Sequence, residues 1–172
     1  MALVREVNGK SPNLHESVWL AENATVVGDV TMGEGCSVWF SAVVRGDVNK
    51  IVLGKNVNIQ DGAVLHCTYK KSQTIIGDNV SVGHNAIVHG CKVENNVLVG
   101  MGSIVMDHAY IPENVIIAAG AVVLENAILE SNSIYAGVPA KKVKTLSPEA
   151  FKDNIERIAS SYKMYSSWFE NK

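Results

Sequence analysis

Three histidines lie in the most regular part of the chain and are candidates for metal ligands. His66 occurs in the run IQDGAVLHCT, and His84 and His89 occur five residues apart in SVGHNAIVHG. Imidazole nitrogens bind zinc and related divalent ions, and three of them with an open fourth position are typical of a catalytic zinc site. Residues so far apart in sequence can share an ion only if the fold brings them into register.

The scaffold that positions them is a six-residue repeat. Aliphatic or Met residues recur every six positions in four series separated by short slips: Val26, Met32, Val38 and Val44; Leu53, Ile59 and Leu65; Ile76, Val82 and Val88; and Val93, Val99, Val105, Ile111, Ile117 and Val123. This periodicity predicts a parallel β-helix, in which three hexads form one triangular coil and the aliphatic residues point inward. A β-sandwich would instead show period-two strands with irregular turn spacing. Glycine often follows the aliphatic residue, and we expect these glycines near the turns, where a positive φ or a close backbone approach is tolerated.

The last part of the chain has a helical period. Ser147 and Pro148 have the form of an N-cap followed by proline at the first helical position. Apolar residues then recur at helical spacing: Phe151, Ile155, Ile158, Tyr162, Tyr165 and Phe169. We therefore predict an all-β domain over residues 1–146 and one C-terminal amphipathic α-helix within 147–172, at about 148–170. The helix should lie along the β-helix or on a neighbouring subunit, because a single helix cannot bury its apolar side alone.

The repeat also predicts which histidines meet. His66 directly follows Leu65, and His89 directly follows Val88. Both therefore occupy the same slot of one face on successive coils, which stack about 4.8 Å apart. Two imidazoles at that spacing can bind one ion.

His84 falls on a different face of the same coil. It stands two residues after Val82, and its partner one coil earlier is Asp61. It is therefore badly placed to complete the site of its own chain. A neighbouring chain related by a three-fold axis could bring its His84 to this chain's His66 and His89.

The remaining histidines and the cysteines are weaker candidates for a metal site. His15 and His108 have no such partners and are expected to be structural or solvent-exposed. Cys67 and Cys91 flank two of the proposed ligands and could serve as soft ligands, but small buried thiols suit a tight prism better. With Cys36 they make an odd number without a CxxC pair, which fits reduced thiols in a cytosolic protein.

Composition narrows the class of protein. The chain has 172 residues, of which 47% are hydrophobic and 19% charged, so one packed domain is expected. A net charge of −2 gives no reason to expect nucleic acid as a partner. The N-terminus lacks the charged and then apolar order of a signal peptide, and no apolar stretch is long enough to cross a membrane. The expected location is the cytoplasm.

Several short motifs carry a resemblance to a known family. The run Val44-Arg45-Gly46-Asp47, then Ile59-Gln60-Asp61, then the three histidines, resembles the γ-class carbonic anhydrases and their short bacterial homologues. The segment Tyr135-Ala136-Gly137-Val138-Pro139-Ala140-Lys141 is similar to the close of their β-helix. The resemblance covers nearly the whole chain. It implies a left-handed β-helix and a homotrimer with interfacial metal sites, whose ligands would be His66, His84 and His89.

The resemblance also implies roles for five other residues. Gln60 would orient a metal-bound hydroxide by hydrogen bonding. Arg45 and Asp47 would form a charge-assisted pair at the interface. Asp61 would lie near the site, holding its network or bridging subunits. Tyr162 falls near a tyrosine that lines the pocket in related chains.

The activity implied is the reversible hydration of CO2 to bicarbonate by that hydroxide. Zinc is the expected ion, and Fe²⁺ or Co²⁺ would also suit imidazole ligands. The chain departs from the best-known members in two places. The loop over 67–74 has no carboxylate to serve as a proton shuttle, and Ser161 stands where relatives often have Asn.

Other functions remain open on the sequence alone. Many hexapeptide-repeat proteins are acyltransferases, but this chain has no long loop to wall off an acyl-CoA groove. A metal-dependent thioesterase or other hydrolase could use the same hydroxide. A trimeric metal-binding scaffold without catalytic activity is the third alternative.

Overall fold

The computed structural model describes residues 1–169 and shows a left-handed parallel β-helix followed by one C-terminal helix. The strands are short and follow one another around the coils: β1 (Leu3–Arg5), β2 (Asn13–Leu14), β3 (Trp19–Leu20), β4 (Thr25–Met32), β5 (Ser37–Val38), β6 (Val43–Leu53), β7 (Asn58–Ile59), β8 (Val64–His66), β9 (Thr74–Ile76), β10 (Ser81–Val82), β11 (Ile87–His89), β12 (Lys92–Val93), β13 (Val97–Val99), β14 (Ile104–Val105), β15 (Tyr110–Ile111), β16 (Val115–Ile117), β17 (Val122–Val123), β18 (Ser133–Ala136) and β19 (Lys141–Thr145).

The strands form three faces of a triangular prism. The second face is a sheet in the order β19-β18-β16-β13-β10-β7-β5-β3. The third face continues from the first part of β6 through β8, β11, β14 and β17, and the first face continues from the last part of β6 through β9, β12 and β15. These two faces form one larger sheet, because the long strands β4 and β6 continue around the corner between them. All pairings between coils are parallel until β19, which runs antiparallel to β18 and has all five residues exposed. The predicted β-helix is confirmed.

The aliphatic residues of the hexads fill the prism. Leu65, Val88 and Val105 are completely buried and stack on the third face, while Ile59 and Val82 do the same on the second. Stacking puts each aliphatic side chain in contact with its counterpart one coil away. Burial of this kind contributes about 1.5–3 kcal/mol for each aliphatic side chain.

The slip in the repeat after Val44 is an insertion at a corner. Gly28 of β4 pairs with Gly46 of β6, yet the next pair is Val30 with Ile51. One residue of β4 therefore opposes four residues of β6, 47–50. The extra length carries the backbone outward at this corner, and Asp47 is its first residue.

The turns depart from the expected use of glycine. Left-handed φ values occur three positions after the inward aliphatic residue, mostly at Asn or Gly, as at Gly62, Asn85 and Gly102. The glycines that directly follow the inward aliphatic residue of a hexad are not in this region. Gly33 instead lies against the next coil, where an added Cβ would be 2.5 Å from the Gly54 carbonyl oxygen. The close approach of the next coil explains why glycine follows the inward aliphatic residue. The positive φ explains why glycine or asparagine occupies the turn positions.

One corner carries a column of asparagines, each in the left-handed region: Asn56, Asn79, Asn96, Asn114 and Asn132. Each side-chain amide donates to the side-chain oxygen of the next, over distances of 3.0–3.3 Å. Asparagine tolerates this backbone conformation better than most residues, and its amide both donates and accepts. We call this column the asparagine ladder.

Replacing Asn96 in the asparagine ladder should separate the contribution of the backbone conformation from that of the amide hydrogen bonds. Asn96→Ala puts an alanine at φ 57°, where its Cβ is strained, and removes two amide hydrogen bonds. We therefore expect the free energy of unfolding to fall by about 3 kcal/mol. Asn96→Gly removes the same hydrogen bonds but relieves the backbone strain, and should lose about half as much. Urea unfolding of both variants at one protein concentration measures the difference. Equal losses would contradict the role assigned to the backbone conformation.

The C-terminal helix lies along the second face of its own prism. It begins with α1 (Pro148–Phe151), continues through a wider π-helical turn (Lys152–Glu156) and ends with α2 (Arg157–Ser167). Ser147 caps it by accepting from the backbone N–H of Ala150 at 3.1 Å, as predicted. Ile155 packs on Ile116 and Leu146. The domain boundary at residue 147 stays a prediction. The last three residues of the predicted helical segment, 170–172, lie outside the part of the chain that the structure describes.

Within residues 1–169, no helix has both the length and the apolar character needed to cross a bilayer.

Candidate metal centre

His66 and His89 meet on the third face in the predicted register. Their Cα atoms are paired across β8 and β11, and the rings lie edge to face with centroids 5.2 Å apart. The Nδ1 of His66 is 3.2 Å from the Nε2 of His89. The hexad register therefore places two imidazole nitrogens within reach of a single point.

The other nitrogen of each ring faces a carboxylate. His66 Nε2 lies 3.1 Å from Asp47 Oδ1, and His89 Nδ1 lies 2.8 Å from Asp107 Oδ2. An ionised carboxylate only accepts hydrogen bonds, so these two ring nitrogens carry the protons. In neutral rings the nitrogens that face each other are then unprotonated, and both present lone pairs.

Two lone pairs at 3.2 Å repel each other unless a cation lies beside them. Zinc bound to imidazole at 2.0–2.1 Å in tetrahedral geometry separates neighbouring nitrogens by about 3.3 Å. The observed distance of 3.2 Å matches that requirement. The pair therefore fits a divalent ion in both donor chemistry and spacing.

The electrostatics favour the neutral, metal-binding form of His66. Burial lowers the pKa of its imidazole, and the positive charge of Arg45 acts in the same direction against the opposing effect of Asp47. Burial alone would raise the pKa of Asp47, but hydrogen bonds from Arg45 and His66 outweigh it and hold that pKa below its usual value. At neutral pH the carboxylate is ionised and the imidazole is neutral.

His84 lies on the second face with the partner that the repeat predicts. Its Nδ1 is 2.8 Å from Asp61 Oδ2. Its Nε2 accepts a hydrogen bond from the Tyr162 hydroxyl at 3.2 Å, so the C-terminal helix reaches this histidine. Burial raises the pKa of Tyr162 to about 12, with a further contribution from Asp61, and the hydroxyl stays protonated as a donor.

One chain does not assemble all three histidines. Among the described residues 1–169, no group of three or more His, Cys, Asp or Glu side chains is placed to hold a metal ion. This agrees with the geometric expectation that His84 points away from the pair in its own subunit.

The other predicted site residues surround these two groups. Arg45 and Asp47 form an ion pair of 2.7 Å within the chain. Gln60 is buried beside the strand that leads to Asp61, and its Nε2 donates to Asn58 Oδ1 at 3.0 Å. Asn58 in turn donates to Ser81 Oγ at 2.8 Å, which fixes the amide of Gln60 in place.

The remaining polar candidates lie where expected. His15 and His108 are exposed, and the three cysteines are free and buried. Burial raises the pKa of Cys91 to about 12 and also raises that of Cys67, which keeps both as thiols. The prediction of small buried thiols is confirmed.

Sequence reasoning missed Asp107 and an aromatic cluster. Extending the register arithmetic by one more coil would have placed Asp107 above the turn after His89, because Val88 pairs with Val105. The cluster joins the region of β3 and β5 to the C-terminal helix and the residues just after it: Trp19, Trp39, Phe40, Tyr162 and Phe169. Trp39 stacks edge to face on Tyr162 with ring centroids 5.0 Å apart, which holds the tyrosine that contacts His84. The residues of this aromatic cluster have no common spacing in the sequence, so no sequence pattern predicted the cluster.

The fold and the repeat define a hexapeptide-repeat protein. Residues 90–125 match the family described as bacterial transferase hexapeptide (six repeats). A solved structure of a hexapeptide transferase family protein from Anaplasma phagocytophilum superimposes with a TM-score of 0.92 at 37% identity, over 97% of this chain and 98% of that one.

Comparison with curated proteins is more specific. The chain is 43% identical to a carbonic anhydrase of Geobacillus kaustophilus, over 93% of this chain and 87% of the relative. It is 40% identical to the mitochondrial gamma carbonic anhydrase 2 of Arabidopsis thaliana, over 91% of this chain and 56% of the plant protein. The chain belongs to the γ-class carbonic anhydrase family.

Proposed function

We propose that the protein catalyses the reversible hydration of CO2 to bicarbonate at a divalent ion between subunits of a homotrimer. His66 and His89 of one subunit and His84 of the next would hold the ion. The observation that carries this proposal is the pair of facing imidazole nitrogens 3.2 Å apart, with the third histidine on another face. Zinc is the expected ion, and Fe²⁺ or Co²⁺ suits the same ligands.

An apolar strip beside the histidine pair supports the subunit interface. The outward side chains next to His66 and His89 on the third face are aliphatic: Val64, Ile87, Ile104 and Val122. Ile87 lies two residues before His89, and this apolar side chain is 37% exposed in the single chain. A neighbouring second face that covers this strip would bring its own His84 towards the pair.

The bound ion would lower the pKa of a water molecule towards neutrality and so supply the nucleophile for CO2. Gln60 has its Nε2 committed to Asn58, so it offers its carbonyl oxygen to orient that water. Asp47 and Asp61 fix the protonated nitrogens of His66 and His84. Arg45 keeps Asp47 ionised, and we assign that pair to the interface.

Stopped-flow CO2 hydration tests the proposal, with metal content measured on the same zinc-loaded and anaerobically iron-loaded samples. We expect activity that rises with metal occupancy and is lost in His89→Ala. His108→Ala is the matched control. His108 is exposed and follows β14, which pairs with the His89 strand β11 on the next coil. The loop over 67–74 lacks a carboxylate, so the rate should also rise with buffer concentration.

Fully occupied protein without hydration above buffer would overturn the proposal. Acyl transfer, hydrolysis or a scaffold role would then be tested in its place. Stabilisation by coenzyme A in a thermal shift assay would indicate acyl transfer. A fourth metal position without exchangeable water would indicate a scaffold.

A further inference from the structure

A carboxylate from the following coil contacts the histidine pair. Asp107 stands 18 residues after His89 and accepts from its Nδ1 through Oδ2 at 2.8 Å. We propose that Asp107 is the positioning residue for His89, which it holds in the one tautomer and ring orientation that presents Nε2 to the ion. This inference rests on the proposed metal site and assigns a role to a residue outside the motifs of that site.

The carboxylate is itself held from its other side. Its Oδ1 accepts a hydrogen bond from the hydroxyl of Ser72, and Ser72 is 3% exposed. The Ser72 Oγ accepts from the backbone N–H of Thr68 at 2.9 Å, and its carbonyl oxygen accepts from Asn49 Nδ2 at 2.7 Å. With both oxygens engaged, Asp107 cannot rotate away without breaking a partly buried hydrogen bond.

The loop over 67–74 thereby connects the two ligands of one subunit. It begins directly after His66, and Thr74 at its end donates to the His66 carbonyl oxygen at 2.6 Å. The same Thr74 hydroxyl accepts from the backbone N–H of Gly90, the residue after His89. Ser72 in the middle of the loop fixes Asp107. In this chain the loop serves the geometry of the metal ligands.

A positioning role differs measurably from a purely structural one. A ligand that loses its carboxylate partner typically weakens metal binding by about 10–100-fold. A structural carboxylate contributes to stability and leaves metal affinity unchanged. Asp78 provides the comparison, because it accepts from the Lys55 backbone N–H at 2.7 Å at another corner of the prism.

Metal affinity of Asp107→Asn, measured by competition with a chromophoric chelator, tests the proposal. We expect zinc binding about 10–100-fold weaker than in the unmodified protein and a changed visible spectrum of the cobalt form. Asp78→Asn should keep both the affinity and the spectrum while losing stability. Ser72→Ala should weaken binding less, since the contact from His89 to Asp107 remains.

Asp107→Asn protein with unchanged zinc affinity and an unchanged cobalt spectrum would overturn the inference. If that variant does not fold, Ser72→Ala carries the test, because it frees the other oxygen of Asp107, and a zinc affinity and a cobalt spectrum that are both unchanged there would overturn the inference. Failure of the unmodified protein to bind zinc or cobalt would instead remove the proposed metal site itself. The two failures are therefore distinguishable.

Discussion

Trimers assembled from a mixture of His84→Ala and His66→Ala chains should regain metal sites that neither parent can form. A site built from two subunits is complete wherever a His84→Ala chain supplies His66 and His89 and its neighbour supplies His84. In a cyclic trimer each mixed assembly contains one such interface. Random exchange of equal amounts should therefore restore about a quarter of all sites. Metal content after dialysis against a chelator measures this fraction.

A second mixture provides the control. His66→Ala and His89→Ala chains each lack one member of the pair that comes from a single subunit, so no arrangement of them completes a site. Mass-tagged chains would confirm that subunits have exchanged in both mixtures. If the first mixture binds no more metal than the control after confirmed exchange, the three histidines do not meet across an interface.

Gly28→Ala should be the most damaging single-methyl change in the prism. Gly28 has φ 79°, and an added Cβ would lie 2.4 Å from the Gly46 carbonyl oxygen on the adjacent coil. Backbone on both sides of the contact leaves no side chain to yield, so we expect a loss of about 4 kcal/mol or more in unfolding free energy. Urea unfolding at a fixed protein concentration measures it, because subunit association contributes to stability.

Gly102→Ala is the matched control for the backbone conformation. Gly102 has φ 65°, and nothing lies within 4 Å of an added Cβ. This variant should lose only the strain of an alanine in the left-handed region, about 1–2 kcal/mol. Similar losses in both variants would show that close stacking of the coils does not limit the position of Gly28.

The hexad repeat made most of the fold and half of the candidate site predictable. An inward aliphatic residue every six positions determines both the face and the coil of each neighbour, so the pairing of His66 with His89 followed by counting. The same counting placed Asp61 beside His84. Stacked coils allow this because register along the chain is also register in space.

What the repeat could not place depends on departures from it. The corner insertion that projects Asp47 is visible in the sequence only as a slip, which does not say where the backbone bulges. Tyr162 reaches His84 because a helix with a different period packs on the second face. Whether that helix would lie on its own prism or on a neighbour depended on side-chain packing that no periodicity records.

The antiparallel strand β19 gives the prism a defined end. Parallel coils could in principle stack without limit, since each one presents unpaired backbone groups to a further coil. Here the last strand of the second face reverses direction and carries Lys141, Lys142 and Lys144, with every residue exposed. A second molecule that docked there would meet the wrong polarity for coil-on-coil pairing and a row of positive charges. We therefore expect the reversal to disfavour end-to-end stacking of prisms through the second face.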